Sequence, residues 1–161
     1  MSDLRRQLDS LNVSKLKMKN WNTIEKELKR HARILTDCIM HELDNVYDSY
    51  EPTVYKRTYG LYNSLYIDDT IRVDISGKNM SLCIGLSFDD GAIHQGFNGE
   101  YVNTAILLND GYKTHGSFSN IPYFGYREGT HFIEKGIQKY KRIVSNPFTV
   151  RLTLNYEIRE F

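Results

Sequence analysis

Hydrophobic positions change their spacing along this chain, and the changes mark out its elements. From Asn22 onward Ile24, Leu28, His31, Leu35, Cys38, Ile39, Leu43, Val46, Tyr47 and Tyr50 recur at helical spacing, which predicts one long amphipathic helix to about residue 49. Asn22 with Glu25 three residues on reads as a capping box, and Pro52 ends the helix because the residue before proline is pushed out of helical geometry. Upstream, Leu4, Leu8 and Leu11 share one face of a short helix, while "NVSKLKMKN" has no period. Residues 1–20 therefore read as a partly mobile basic arm, ahead of a single domain over 21–161.

Beyond the helix the period falls from 3.6 to 2. Ile71, Val73 and Ile75 alternate with polar residues, "SGKN" supplies a turn, and Met80, Leu82, Ile84, Leu86 and Phe88 alternate again, which is a β-hairpin. "DDG" at 89–91 breaks the second strand, and a third strand is expected over Tyr101–Leu108, ending at the "NDG" turn. Residues 111–130 hold glycines and aromatics without a period and read as one long loop, ordered on assembly. Thr130 is expected to cap a second helix with Ile133, Ile137, Tyr140 and Val144 on one face, stopped by Pro147. Phe148, Val150, Leu152, Leu154, Tyr156 and Ile158 then alternate without a fault, which predicts a final strand paired on both sides. Helix, strands, loop, helix, strand is the order of an α+β fold: an antiparallel sheet of four to five strands with the two helices packed on one face.

At 161 residues the chain can bury roughly 70% of its unfolded surface in one domain. Hydrophobic residues make up 40% and charged residues 25%, which excludes wholesale disorder and a fibrous repeat. A net charge of +1 argues against a protein whose main task is to wrap nucleic acid. The charged opening "MSDLRRQLDS" lacks a signal-like core and no window has the apolar length of a membrane span, so synthesis in a cytoplasm and no membrane contact are expected. Cys38 and Cys83, on apolar faces, read as buried thiols.

Candidate chemistry thins out on inspection. "HELDN" at 41–45 begins like a zinc-protease helix, but Asn45 stands where the second histidine ligand is required. His31, His94, His115 and His131 show no pairwise ligand spacing on one element, so no metal or cofactor is expected. Asp68 with Asp69 and Asp89 with Asp90 suit turns better than an acid/base pair, since adjacent residues point apart. Ser87 in "GLSFD" lacks the second glycine of a nucleophile elbow, and "FGYREGTH" lacks the lysine of a phosphate loop. No enzyme is expected and no catalytic residue is assigned. The arm and first half-helix are rich in Lys and Arg; Lys15, Lys17 and Lys19 are the candidates to face DNA, against the plainer reading of a solvated helix with Glu25 paired to Lys29. Tyr112, Phe118, Tyr123, Phe124, Tyr126 and Arg127 in the loop either fold back on the sheet or form a partner contact, since tyrosine among glycine, serine and asparagine offers large area at low entropy cost.

The long helix, then "YKRTYGLYNSLYI", a β-meander, and "GTHFIEKGIQKY" before a last strand together resemble the head–tail joining, or tail-completion, proteins of long-tailed bacteriophages. Arg57, Thr58, Gly60, Leu61 and Ser64 approximate that family's Arg-Thr-Gly-x-Leu-x-x-Ser segment, with Tyr59 inserted before the glycine. The resemblance runs from about Ile24 to Tyr156. It implies a non-enzymatic virion protein in the neck, forming a homo-oligomeric, six-fold ring between a portal-side connector or stopper protein and a tail terminator or tail tube protein. DNA contact would be secondary. By physical signals the "RTYGLYNSL" stretch is a structural joint: Gly60 permits a sharp exit, Leu61 and Leu65 allow one helical turn, and Arg57 is either solvated or a contact to a neighbour's carboxylate. The alternative is a small nucleic-acid-binding module working through the basic arm.

Overall fold

The computed structural model describes residues 21–49, 59–76, 79–95, 99, 101–113, 126–154 and 157–161. The expectations for the N-terminal arm, Pro52, Arg57 and the middle of the aromatic loop lie outside these residues.

Helix α1, Trp21–Asp48, carries the face that its spacing predicts. Leu28, His31, Ala32, Leu35, Cys38, Ile39 and Leu43 are buried along it. Trp21 is already helical, so Asn22 lies inside the helix and is not its cap; Glu25 pairs instead with Lys29 at 3.0 Å, one turn on. Helix α1 lies against a second long helix, Phe132–Ile143, which buries Phe132, Ile133, Gly136, Ile137 and Tyr140. Each large apolar side chain so enclosed contributes about 1.5–3 kcal/mol, so this helix pair is the main source of stability. The backbones meet closely where Gly136 faces Ile39. Lys139 and Glu42 bridge the two helices at 3.6 Å. Cys38 lies in the core, where burial pushes its thiol up. Cys83 is half-buried, less enclosed than the buried thiol expected of it.

The described part of the joint, from Tyr59 on, leads into a helical turn, α2, Gly60–Ser64, with Leu61 and Ser64 buried. The sharp exit is made by Tyr59 at φ 56, not by Gly60, so the inserted tyrosine itself takes the left-handed conformation. Tyr59 packs edge-on against Tyr47 of α1 and against Tyr62, which gives this uncommon backbone a side-chain anchor. Strands β1, Leu65–Ser76, and β2, Asn79–Phe88, follow as the expected hairpin, longer at its start than the alternation from Ile71 suggests. "DDG" ends β2 as expected: the Asp89 carboxylate accepts from Gly91 N–H at 2.8 Å and a 3-10 turn follows over Asp90–Ala92.

The strand expected over residues 101–108 is short. Ile93–Gln95 (β3) pairs with Tyr101–Asn103 (β4), and Thr104–Asp110 is a helix, α3. Asn103 decides this: its side-chain oxygen accepts from Ala105 N–H at 2.9 Å and Ile106 N–H at 3.4 Å, capping a helix where the apolar run "AILL" has no strand period to oppose it. Gly111–Lys113 (β5) pairs with Tyr126–Glu128 (β6), and helix α4 is the Phe132–Ile143 segment already described. The last alternating run is not a strand paired on both sides but a hairpin, with Arg151–Leu154 (β7) against Glu157–Glu160 (β8). Period-2 alternation cannot distinguish a straight strand from one folded at its middle. Val150 and Phe161 close this hairpin through two backbone bonds and pack on the core.

The protein is thus α+β, with a long first helix, a second helix beside it and antiparallel strands. Among the described residues the strands form four two-stranded ladders, not one continuous sheet. Apart from β1 and β2 they are only three or four residues long, too short to build a wide sheet.

Candidate functional site

The expected aromatic loop has a built foot. Its two ends, β5 and β6, pair with Gly111 opposite Glu128, Tyr112 opposite Arg127 and Lys113 opposite Tyr126. Of the residues singled out for partner contact, the ladder places Tyr112, Tyr126 and Arg127 in this stem, with Tyr112 and Arg127 half-buried and directly across from each other. Phe118, Tyr123, Phe124 and Arg57 lie outside the described residues, as do Lys15, Lys17 and Lys19.

Asn109, fully buried at the end of α3, organises the foot. Its side-chain oxygen accepts from Ile133 N–H at 3.0 Å, its amide donates to Asp110 Oδ1 at 2.8 Å, and its backbone carbonyl accepts from His131 N–H at 3.0 Å. The start of α4 is therefore capped across the fold by Asn109 and not by Thr130, whose hydroxyl donates to Leu108 O at 2.8 Å. His131 holds the N-cap position at φ 52 without a side-chain cap bond. Gly111 ends α3 at φ 83, and a β-carbon there would stand 2.5 Å from Arg127 O, so only glycine fits this stem. By its sequence Asn109 is part of an "NDG" turn and nothing more, because a cap that acts from 24 residues away leaves no local pattern.

Among the described residues, Asp110, His131 and Glu134 are the one group of three donors that could hold a metal ion, with ligand atoms within 4.8 Å of one another. Asp110 and Glu134 are half-buried and His131 is exposed. Asp110 and His131 are remote in sequence and belong to different elements, so histidine spacing along single elements could not reveal the group. His41, the first residue of "HELDN", is exposed, with Asn45 Nδ2 3.2 Å from its Nδ1.

Among the described residues His31 is the buried histidine. Arg30 can only donate, so His31 Nε2 accepts from it at 2.9 Å, and Nδ1–H donates to Tyr140 Oη at 2.7 Å. Tyr140 Oη also accepts from Phe148 N–H at 2.9 Å, and the imidazole packs 4.4 Å from the Phe148 ring. Burial, and then the Arg30 charge, hold its pKa below the ordinary 6.5, with Glu27 opposing. Below pH 6.5 the unfolded chain takes up a proton that the native imidazole resists, so stability is expected to fall with pH through this window and to level off below the native pKa. His31→Phe, which keeps an aromatic ring beside Phe148, should flatten that slope in urea titrations at stepped pH; an unchanged slope would remove His31 as its source.

No helix among the described residues is long and apolar enough to cross a membrane. Comparison of the chain with protein families, characterised proteins and solved structures gives no match.

Proposed function

We propose that this chain is a non-enzymatic subunit of a homo-oligomeric ring in the neck of a long-tailed bacteriophage, joining the capsid connector to the tail. The observation that carries the assembly part of this reading is the edge of β2 that no described strand pairs. Strand β2 runs ten residues, Asn79–Phe88, without a proline or a charged side chain, and its described ladder has β1 on one side only. Folded chains that stay monomeric blunt such edges with charge, proline or bulges. Strand β1 is treated in that way. It carries Asp68, Asp69, Arg72 and Asp74, and three of its residues span the stretch that Ile84 alone spans on β2, between the Asp68–Gly85 and Arg72–Cys83 pairs. The asymmetry suits a subunit that offers β2 to a neighbour and withholds β1.

A closed ring needs two different complementary patches on each subunit. Exposed Tyr59 and Tyr66 beside the joint, together with the stem of Tyr112 and Arg127, supply aromatic area for the second. The α+β class and the helical turn seated through Leu61 and Ser64 support the phage resemblance, while separate two-stranded ladders and a closing hairpin stand where it implies a meander and a single last strand. The six-fold number and the portal-side and tail-side partners come from that resemblance alone. In the described part of α1, Lys29 and Arg30 are paired with Glu25 and Glu27, which supports the solvated-helix reading of these two cations over a nucleic-acid contact. Image reconstruction of virions that contain the chain is the test. A closed ring of this fold between capsid and tail is the expected result, and absence of the chain from purified virions would overturn the reading.

A further inference from the structure

We propose that Asp110, His131 and Glu134 form a binding site for a first-row divalent transition metal ion, with Zn2+ as its natural probe, that clamps the foot of the aromatic loop. The three donors come from both sides of that loop: Asp110 from the end of α3, His131 and Glu134 from the start of α4. Their ligand atoms lie within 4.8 Å of one another. On a shared tetrahedral ion with bonds near 2.1 Å they would stand about 3.4 Å apart, which small side-chain rotations can supply. This is not a cluster of surface carboxylates alone, because an imidazole completes the set, and a nitrogen donor selects for zinc-like ions over Mg2+ and Ca2+.

The surroundings are those of ligands held by an outer shell. The Asp110 carboxylate accepts from the amide of Asn109, a fully buried residue, at 2.8 Å. The same side chain takes the Ile133 N–H and so fixes the helical turn that carries Glu134, while its backbone carbonyl takes the His131 N–H. One buried residue thus sets the position of all three donors. Hydrogen bonds of this kind, made to the ligands by residues behind them, fix carboxylates and backbone before the ion arrives. Three protein ligands leave a fourth position for water or for a group of a partner, and the ion would hold the two ends of the loop together without depending on the residues between them.

Isothermal titration of Zn2+ into the full-length, chelator-treated chain should give one site per chain, and the melting midpoint should rise with Zn2+ concentration, because an ion bound only to the native state stabilises it by mass action. His131→Ala and Glu134→Gln should each weaken Zn2+ binding roughly tenfold or more, while His94→Ala, outside the group, leaves it unchanged. His131 is exposed but Glu134 is half-buried, so the folding of both variants is checked by circular dichroism and by their melting midpoints in chelator. Absence of stoichiometric binding to the parent chain overturns the proposal. So does unchanged affinity in the folded His131→Ala and Glu134→Gln variants.

Discussion

Asn109→Ala should cost the fold about 3–5 kcal/mol, the sum of a buried donor left unmade, a charge-assisted bond lost and a small cavity. For a chain of this size that is a fall in melting midpoint of roughly 10 °C. The reason lies in the number of duties gathered on one side chain with no exposure. The Ile133 N–H is one of the donors that the start of any helix leaves without an intrahelical partner, and Asn109 Oδ1 is its acceptor at 3.0 Å. The amide group meanwhile donates to the Asp110 carboxylate. Asn109→Asp separates the two duties. It keeps an acceptor for Ile133 N–H but sets a second carboxylate against Asp110, and it should be at least as damaging at neutral pH and should recover in part as the pH is lowered. Thermal melts of both variants check this, and an Asn109→Ala protein that melts within about 3 °C of the parent contradicts the cross-fold cap.

Gly136→Leu should abolish cooperative unfolding, and even Gly136→Ala should destabilise, against the ordinary rule for helices. In an exposed helix interior alanine is the better residue by about 1 kcal/mol. At Gly136 a β-carbon would stand 2.7 Å from Ile39 Cα, 2.8 Å from Ile39 Cγ1 and 2.9 Å from Ile39 N. Two of these atoms are backbone of α1, so the clash is relieved only by moving the helices apart along their shared core. Overpacking of this kind typically costs 1–3 kcal/mol, more than the propensity gain. Gln138→Ala, two residues on and exposed, is the control and should be close to neutral. Urea denaturation of the three variants decides the point, and a stabilised Gly136→Ala protein would show that the helices do not meet there.

Elements whose signal is local are legible in the amino-acid sequence. The face of α1 from Leu28 to Leu43 and that of α4 from Ile133 to Tyr140 repeat at helical spacing because each helix buries a continuous stripe, and the β1–β2 hairpin alternates at period 2 with Leu65, Leu86 and Phe88 packed against the core. The break at "DDG" is legible too, since Asp89 bonds its own neighbour. Where two local codes overlap, the pattern misleads. "AILL" fits strand or helix until Asn103 caps it, and the alternation from Phe148 to Ile158 runs through a reversal because a folded strand keeps the same period.

What concerns long-range partners is decided by the tertiary structure alone. The stem at Tyr112 and Arg127 can be named as a contact candidate from its composition, but its pairing and its anchorage on Asn109 cannot. The meeting of Asp110 with His131 and Glu134 depends on the same closure of the loop ends. Periodicity reports which side of an element faces the core, because that is set within one or two turns of chain. Which residues meet across the core is set by the docking of α4 on α1 and by one buried asparagine, and a single linear pattern holds no record of that geometry.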